Sequence, residues 1–349
     1  MKDIVLAGNT EDFQLGGHFV EAASQLGLTT HTIRTDSVAS KWRLLDRISY
    51  RFNRRRPLRM QWYQQQLNEA CENESPRYFI ATGMIPVLAK TLQTIGEMGI
   101  PRINYLTDDP WNPAHRTAWR LASIAEYDTV FTPRHSNRDQ LAAIGVKNVH
   151  YLPFGYSKRR HAVDSIIELE TNCDVMFVGS ADADRLPIVR NLIRHGLKLR
   201  LYGAYWEQDP VTRKFAEGVA SISDLREAVQ RAAVTLVLVR RGNRDGHVMR
   251  TFESAASGGC LLVEDTEEHQ AIFGNDGSVA YFHDSLSLVS AAKLLVGDVS
   301  LRQQMRHRVH EKIVLDEHHT YECRLSEMLK LVDQNAINPD KLVEEPRFN

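Results

Sequence analysis

Short apolar runs recur along the chain and alternate with segments whose apolar residues fall three and four positions apart. In the first half the runs are 3-DIVLAG-8, 28-LTTHTIR-34, 77-RYFIAT-82, 101-PRINYL-106, 127-YDTVFT-132 and 148-NVHYLP-153, with helical patterns at 86–99 and 135–145. Short apolar runs bounded by turn residues predict buried strands, and their alternation with helices predicts a parallel sheet. The pattern then begins again. Strands are predicted at 173–179, 197–203, 234–239, 260–265 and 278–282, with helices at 185–195, 223–232, 247–257, 266–273 and 284–296. Helical segments at 300–313 and 319–333 follow. The expected organisation is two α/β domains, 1–155 and 156–333, with a charged linker over 153–170 and a polar tail, 334–349.

Composition adds little to this picture. With 349 residues, 43% of them apolar, the chain can bury two cores of ordinary size. A net charge of −1 gives no global reason to expect nucleic-acid binding. The four cysteines, Cys71, Cys173, Cys260 and Cys323, are scattered and have no zinc-site spacing, so neutral thiols in a reducing cytoplasm are expected. Met1-Lys2-Asp3 leads directly into an apolar strand, and no apolar run nears the roughly 20 residues that span a bilayer. The expectation is a cytoplasmic protein that could still rest on a membrane surface.

In such sheets ligands gather at the carboxyl ends of strands, so the loops there carry the candidate chemistry. After the first strand, 8-GNTEDFQLGGHF-19 sets Gly16 and Gly17 at a helix start. Free N–H groups there could meet an anion or a sugar, or the chain simply turns. The loop lacks the G-x-G-x-x-G fingerprint, so a nicotinamide dinucleotide is not expected. In 104-NYLTDDPWNP-113, Asp108 stands beside Asp109. Neighbouring carboxylates repel, which can raise one pKa towards the range of a useful base, but Asp before Pro also makes a plain turn. Gly179 follows a strand and opens into a helix with Arg185 near its start. That turn suits a phosphate, provided that Asp182 and Asp184 act as helix caps.

The loop 240-RRGNRDGH-247 and the helix after it concentrate Arg240, Arg241, Arg244 and Arg250. A helix N-terminus favours an anion by roughly 0.3–1 kcal/mol at exposed sites, and arginine adds bidentate contacts. A diphosphate would suit this place, and Glu253 could accept hydrogen bonds from a ribose diol. The plain alternative is an Arg250–Glu253 surface pair of roughly 0.2–0.5 kcal/mol. A separate basic segment, 42-WRLLDRISYRFNRRRPLRM-60, carries Arg43, Arg47, Arg51, Arg54, Arg55, Arg56 and Arg59 with interleaved apolar residues. It could meet acidic lipid headgroups, nucleic-acid phosphates or an anionic acceptor, or be a solvated basic face.

These segments together resemble a GT-B glycosyltransferase. The resemblance extends to the CgeB-like branch, whose members are called spore maturation protein-like. It is carried by 250-RTFESAASGG-259, 175-VMFVGS-180 with Arg185, 201-LYGAYW-206, 319-HTYECR-324, 107-TDDPW-111 and 153-PFG-155. It implies two Rossmann-like domains whose parallel sheets face a central cleft. The first domain would bind an acceptor and the second a nucleotide-diphosphate sugar, UDP-sugar by preference. It also implies transfer without a catalytic metal or a bound cofactor. Gly16, Gly17, Gly179, Arg185, Arg240, Arg250 and Glu253 are the candidate donor contacts, and Asp108 or Asp109 the candidate activator of the acceptor. Glu253 would be the second of a pair of glutamates and hold the ribose. The place of the first is read at Gly246, which offers no side chain. The acceptor would be an anionic glycan, a lipid-linked carbohydrate or modified DNA, met through Arg43–Arg59. A non-catalytic nucleotide-sugar binder and an epimerase of the same fold are the alternatives.

Overall fold

The computed structural model describes residues 1–38, 53, 55–167 and 169–337. They form two compact units. The first takes in Met1–Pro153, Gly242–Arg244 and the described chain from Arg324 to Ile337; the second takes in Phe154–Arg241 and Asp245–Cys323.

The first unit contains strands β1 (Ile4–Gly8), β2 (Thr30–Arg34), β3 (Tyr78–Thr82), β4 (Arg102–Tyr105), β5 (Thr129–Thr132) and β6 (Asn148–Tyr151). They pair in the order β2-β1-β3-β4-β5-β6, all parallel. Strands β1 and β3, each paired on both sides, are buried at every position, as a sheet covered on both faces requires. Helix α1 (Leu15–Gln25) follows β1, and α2 (Met60–Glu74) precedes β3. The sequence reading did not foresee α2, because MQWYQQQLNEACENE is rich in Gln, Asn and Glu. Its buried stripe of Met60, Tyr63, Gln64, Leu67, Ala70 and Cys71 nevertheless keeps helical spacing. Gln64 is satisfied inside: it accepts from Leu88 N and Thr91 Oγ1 and donates to the Pro86 carbonyl.

The second unit contains β7 (Cys173–Val178), β8 (Leu199–Tyr202), β9 (Ala216–Gly218), β10 (Ala232–Val237), β11 (Leu261–Glu264) and β12 (Ala280–Phe282). The order is β12-β11-β10-β7-β8-β9, again all parallel. The sequence pattern missed β9, a three-residue edge strand with the sequence AEG. It is held instead by backbone pairing to β8 and by the bond from Arg200 Nε to Glu217 Oε1, 2.9 Å. Helix α3 (Arg185–Arg194) packs Val189 and Leu192 against Val175, Phe177 and Leu201 on one face of this sheet. On the opposite face α4 (Ile222–Arg231) packs Ala228 and Val229 against Met176 and Tyr202. Helix α5 (Met249–Ala256) follows β10, and α6 (Glu267–Phe273) follows β11. The chain reverses its direction of strand addition between β7 and β10, so the ends of these two strands frame the crevice where such sheets bind ligands.

All four cysteines are free. Cys71, Cys173 and Cys260 are buried, and burial pushes their thiols up to about 12, 11 and 12. They are therefore neutral near pH 7. Among the described residues no helix is long and apolar enough to cross a membrane.

Candidate functional site

The crevice of the second unit collects charge from both strand ends. Gly179 follows β7, and a Cβ there would stand 2.9 Å from the Phe177 ring and 3.2 Å from Arg185 Nη1. Glycine thus lets the Arg185 head lie over the strand end. Its guanidinium sits 5.4 Å from the Phe177 ring centroid, and Nη1 donates to the Ser180 carbonyl at 3.0 Å. Burial holds the Arg185 guanidinium below its ordinary value; Arg240 adds like-charge repulsion, while Asp182, Asp245 and Glu264 oppose the shift. Asp182 Oδ2 already lies 3.5 Å from Arg185 Nε, and an anion at this turn would add to that pairing and offset the repulsion from Arg240. Asp182 acts as a cap at the start of α3: its Oδ1 accepts from Asp184 N at 3.0 Å and from Arg185 N at 2.8 Å.

Arg240 is exposed just beyond β10. Its carbonyl accepts from Asp245 N at 3.3 Å, and Asp245 is only 8% exposed. Gly246 does not stand at the place of the first glutamate. The resemblance places the paired glutamates eight positions apart, and eight before Glu253 stands Asp245, an acid one methylene shorter. Gly246 has a different task. A Cβ on it would lie 2.0 Å from Glu268 Oε2, so glycine makes room for the Glu268 carboxylate. That carboxylate accepts from His247 Nδ1 at 3.1 Å, while His247 Nε2 accepts from Phe154 N at 3.1 Å. Beside the ends of β10–β12 a cavity of about 310 Å³ is lined in part by Val239, Arg241, Glu264, Asp265, Phe282 and Asp284.

Glu253 lies on α5 and is 2% exposed. Its Oε2 accepts from Arg250 Nη1. The two residues are therefore direct partners, rather than separate contacts as the sequence reading had them. The pair is not the surface pair of the plain alternative, because the carboxylate is buried. His161 Nε2 lies 3.7 Å from Glu253 Oε1. His161 Nδ1 accepts from Ser157 N, so in the neutral ring the proton sits on Nε2, facing the carboxylate. Helix α5 is fixed from behind by His269. The Nε2 of this ring lies 3.0 Å from Thr251 Oγ1, and Nδ1 lies 2.7 Å from the Glu264 carbonyl.

Burial pushes the His269 imidazole down to about 4. The unfolded chain binds that proton near pH 6.5, so between these values it holds more protons than the folded one. Stability contributed by the neutral ring is full above about pH 6.5 and is lost as pH falls towards 4. The expected loss is about 3 kcal/mol. Urea midpoints of the native protein measured across this range should fall with pH, and His269→Gln should flatten the dependence. An unchanged slope in the variant would contradict the assignment.

In the first unit the two adjacent acids differ. Asp109 is 1% exposed and is held by Arg244, which donates from Nε to Oδ2 at 2.6 Å and from Nη2 to Oδ1 at 2.9 Å. Asn137 Nδ2 and Trp111 N also donate to its Oδ1. Asp108 is half-buried, and its Oδ1 accepts from Asn243 Nδ2 at 3.0 Å. Gly16 and Gly17 are accounted for by the chain itself. A Cβ at Gly16 would meet the Asn9 carbonyl at 2.4 Å, and one at Gly17 the Glu11 carbonyl at 2.4 Å. Both let the first turn of α1 lie against its own loop. Of the basic segment, Arg43, Arg47, Arg51 and Arg54 lie outside the described residues. Arg55 donates to the Pro113 and Ala114 carbonyls, and Arg59 donates to the Ser37 carbonyl while stacking on Trp62.

Residues 185–330 match a family model described as glycosyl transferase-like. No curated protein matches the chain. Among solved structures of similar fold is sucrose-phosphate synthase from Thermosynechococcus elongatus, 12% identical, covering 97% of this chain and 100% of that one, TM-score 0.66. A trehalose-6-phosphate protein from E. coli bound with UDP-2-fluoro glucose is 12% identical, covering 93% and 98%, TM-score 0.60. A protein from Listeria monocytogenes described as a UDP-N-acetylglucosamine 2-epimerase is 11% identical, covering 99% and 100%, TM-score 0.57. The chain has the GT-B fold, and its residues 185–330 are similar to a glycosyl transferase-like family.

Proposed function

We propose that the protein transfers a sugar from a nucleotide-diphosphate sugar, UDP-sugar by preference, to an anionic acceptor, as a member of the CgeB-like branch. The observation that carries this reading is the half-buried Arg185 with Arg240 nearby, inside the glycosyl transferase-like segment and at the strand ends where such sheets bind ligands. The preference for UDP is supported by the UDP-sugar analogue held by a protein of the same fold. When the bond between the sugar and the diphosphate breaks, negative charge develops on phosphate oxygens. Arg185 and Arg240 neutralise it, Glu253 holds the ribose, and Asp245 takes the place of the first glutamate towards the donor sugar.

The second unit receives the donor and the first the acceptor. Asp108 is the better placed of the two acids to accept the acceptor's proton, because Asp109 is buried under Arg244. The acceptor class rests on the basic segment alone: an anionic glycan, a lipid-linked carbohydrate or DNA. The test is to incubate the protein with UDP-sugars and fractions of these three classes, and to follow UDP release together with the mass of the acceptor. UDP release coupled to a sugar-sized mass gain supports transfer. Free sugar and UDP without any acceptor would favour the second reading, an epimerase, which one neighbour of the same fold motivates. Because arginines neutralise the leaving group, a chelator such as EDTA is expected to leave the transfer rate unchanged. A loss restored by magnesium or manganese would contradict that role.

A further inference from the structure

Beside the Arg185 turn the chain displays an aromatic ring at some cost to its backbone. Tyr205 follows β8, is 56% exposed and has φ +74, a left-handed conformation that L residues other than Asn and Asp seldom adopt. Among the described residues of the second unit it is the one strongly exposed aromatic. Its neighbours hold it there. Trp206 is fully buried and donates from Nε1 to the Gly179 carbonyl at 2.8 Å, while Thr212 Oγ1 donates to the Trp206 carbonyl at 2.7 Å. Ala181 N donates to the Ala204 carbonyl at 2.9 Å, and Gly179 N to the Tyr202 carbonyl at 2.8 Å.

The turn that carries Tyr205 is thus tied on both sides to the Gly179–Ala181 turn, whose Ser180 carbonyl receives the Arg185 head. Gly203, at φ +129, permits the close approach: a Cβ there would stand 2.5 Å from the Gly179 carbonyl oxygen. A second exposed apolar residue, Val219, follows β9, and its loop is joined to this turn by the bond from Gly203 N to the Gly218 carbonyl. A strained residue whose side chain faces solvent, clamped by buried neighbours, is characteristic of a ligand clamp.

We propose that Tyr205 is the stacking platform for the nucleobase of the donor, with Val219 beside it. This rests on the donor reading above. Phosphates at Arg185 leave the base of the same nucleotide to find a flat apolar partner, and base stacking on a tyrosine is strong and tolerant of base identity. The platform thus contributes affinity for the nucleoside part without selecting uracil.

Calorimetric titration with UDP and with inorganic pyrophosphate tests this on wild type, Tyr205→Ala, Tyr205→Phe and Tyr205→Gly. The glycine variant removes ring and backbone strain together, so loss of folding does not confuse the result. UDP affinity is expected to fall about 10- to 100-fold in the alanine and glycine variants and to stay within about threefold in the phenylalanine variant. Pyrophosphate binding should be the same in all four. Unchanged UDP affinity in the alanine and glycine variants would overturn the platform while leaving the donor reading intact, as would a parallel loss of pyrophosphate. A wild type that binds neither ligand would instead sink the donor reading itself.

Discussion

Glu253→Ala is expected to lose about 10- to 100-fold in affinity for UDP. A carboxylate that accepts hydrogen bonds from a ribose diol contributes through charge-assisted bonds of roughly 1.5–3 kcal/mol each. Glu253 is 2% exposed and oriented by Arg250 and His161, so no other group can move into its place cheaply. Removing it also strips Arg250 of its partner, but the Arg250 side chain is 30% exposed and can turn to water. Any loss of stability in the unliganded protein appears as a lower melting temperature without UDP. Glu253→Gln, which keeps the shape and one acceptor oxygen, should fall between wild type and alanine. The comparison of melting temperature with and without UDP separates the two effects. An alanine variant with full affinity would end the ribose assignment.

Arg185→Ala is expected to lower kcat by about 10²–10³-fold, with a smaller change in KM. Groups aimed at charge that develops only as the leaving group departs are worth about that much when removed singly. The structure gives the reason that Arg185 qualifies. Its head is partly desolvated, stacked over Phe177 and fixed by the Ser180 carbonyl, so it need not reorganise during the reaction. Arg185→Lys should recover a minor part, since a point charge lacks the planar fork that engages two phosphate oxygens. Steady-state rates at saturating donor, with donor affinity measured separately, distinguish loss of transition-state stabilisation from loss of binding. A variant with altered KM and normal kcat would move Arg185 from the leaving group to simple donor binding.

Most of the fold was legible because parallel strands buried on both faces announce themselves as apolar runs. Runs such as 3-DIVLAG-8 and 234-VTLVLV-239 are of this kind, and β1 and β10 lie within one or two residues of them. What escaped had no such signature. Strand β9 is three residues long at a sheet edge, and α2 hides its buried stripe among glutamines whose partners, such as Leu88 N and Thr91, lie far along the chain. The site divides in the same way. That Arg185 starts a helix after a strand and a glycine, and that Glu253 lies on a helix after a strand, was readable from the pattern of the chain.

The contacts between distant positions were not readable. Nothing in 246-GHV-248 reveals that Glu268 fills the space over Gly246, and that absence of a side chain was misread as a missing functional group. Asp245 could have been found by counting eight positions back from Glu253. Asp108 and Asp109 look alike in sequence, yet one is half-buried and the other is buried under Arg244; neighbouring side chains point apart, and only packing says which way each goes.

The donor site proposed in the second unit holds a uridine diphosphate sugar through Arg185, Arg240 and Glu253. The most direct measurement is thermal unfolding of the wild type and Glu253→Ala against a panel of nucleotide sugars and nucleoside diphosphates. At a hundredfold excess over Kd a bound ligand adds about 2.7 kcal/mol of stability, enough for a clear rise in Tm. Such a rise is expected for the wild type with UDP-sugars and UDP, and one cut to about half or less for Glu253→Ala at the same concentration. A wild type whose Tm is unmoved by every nucleotide in the panel would contradict it.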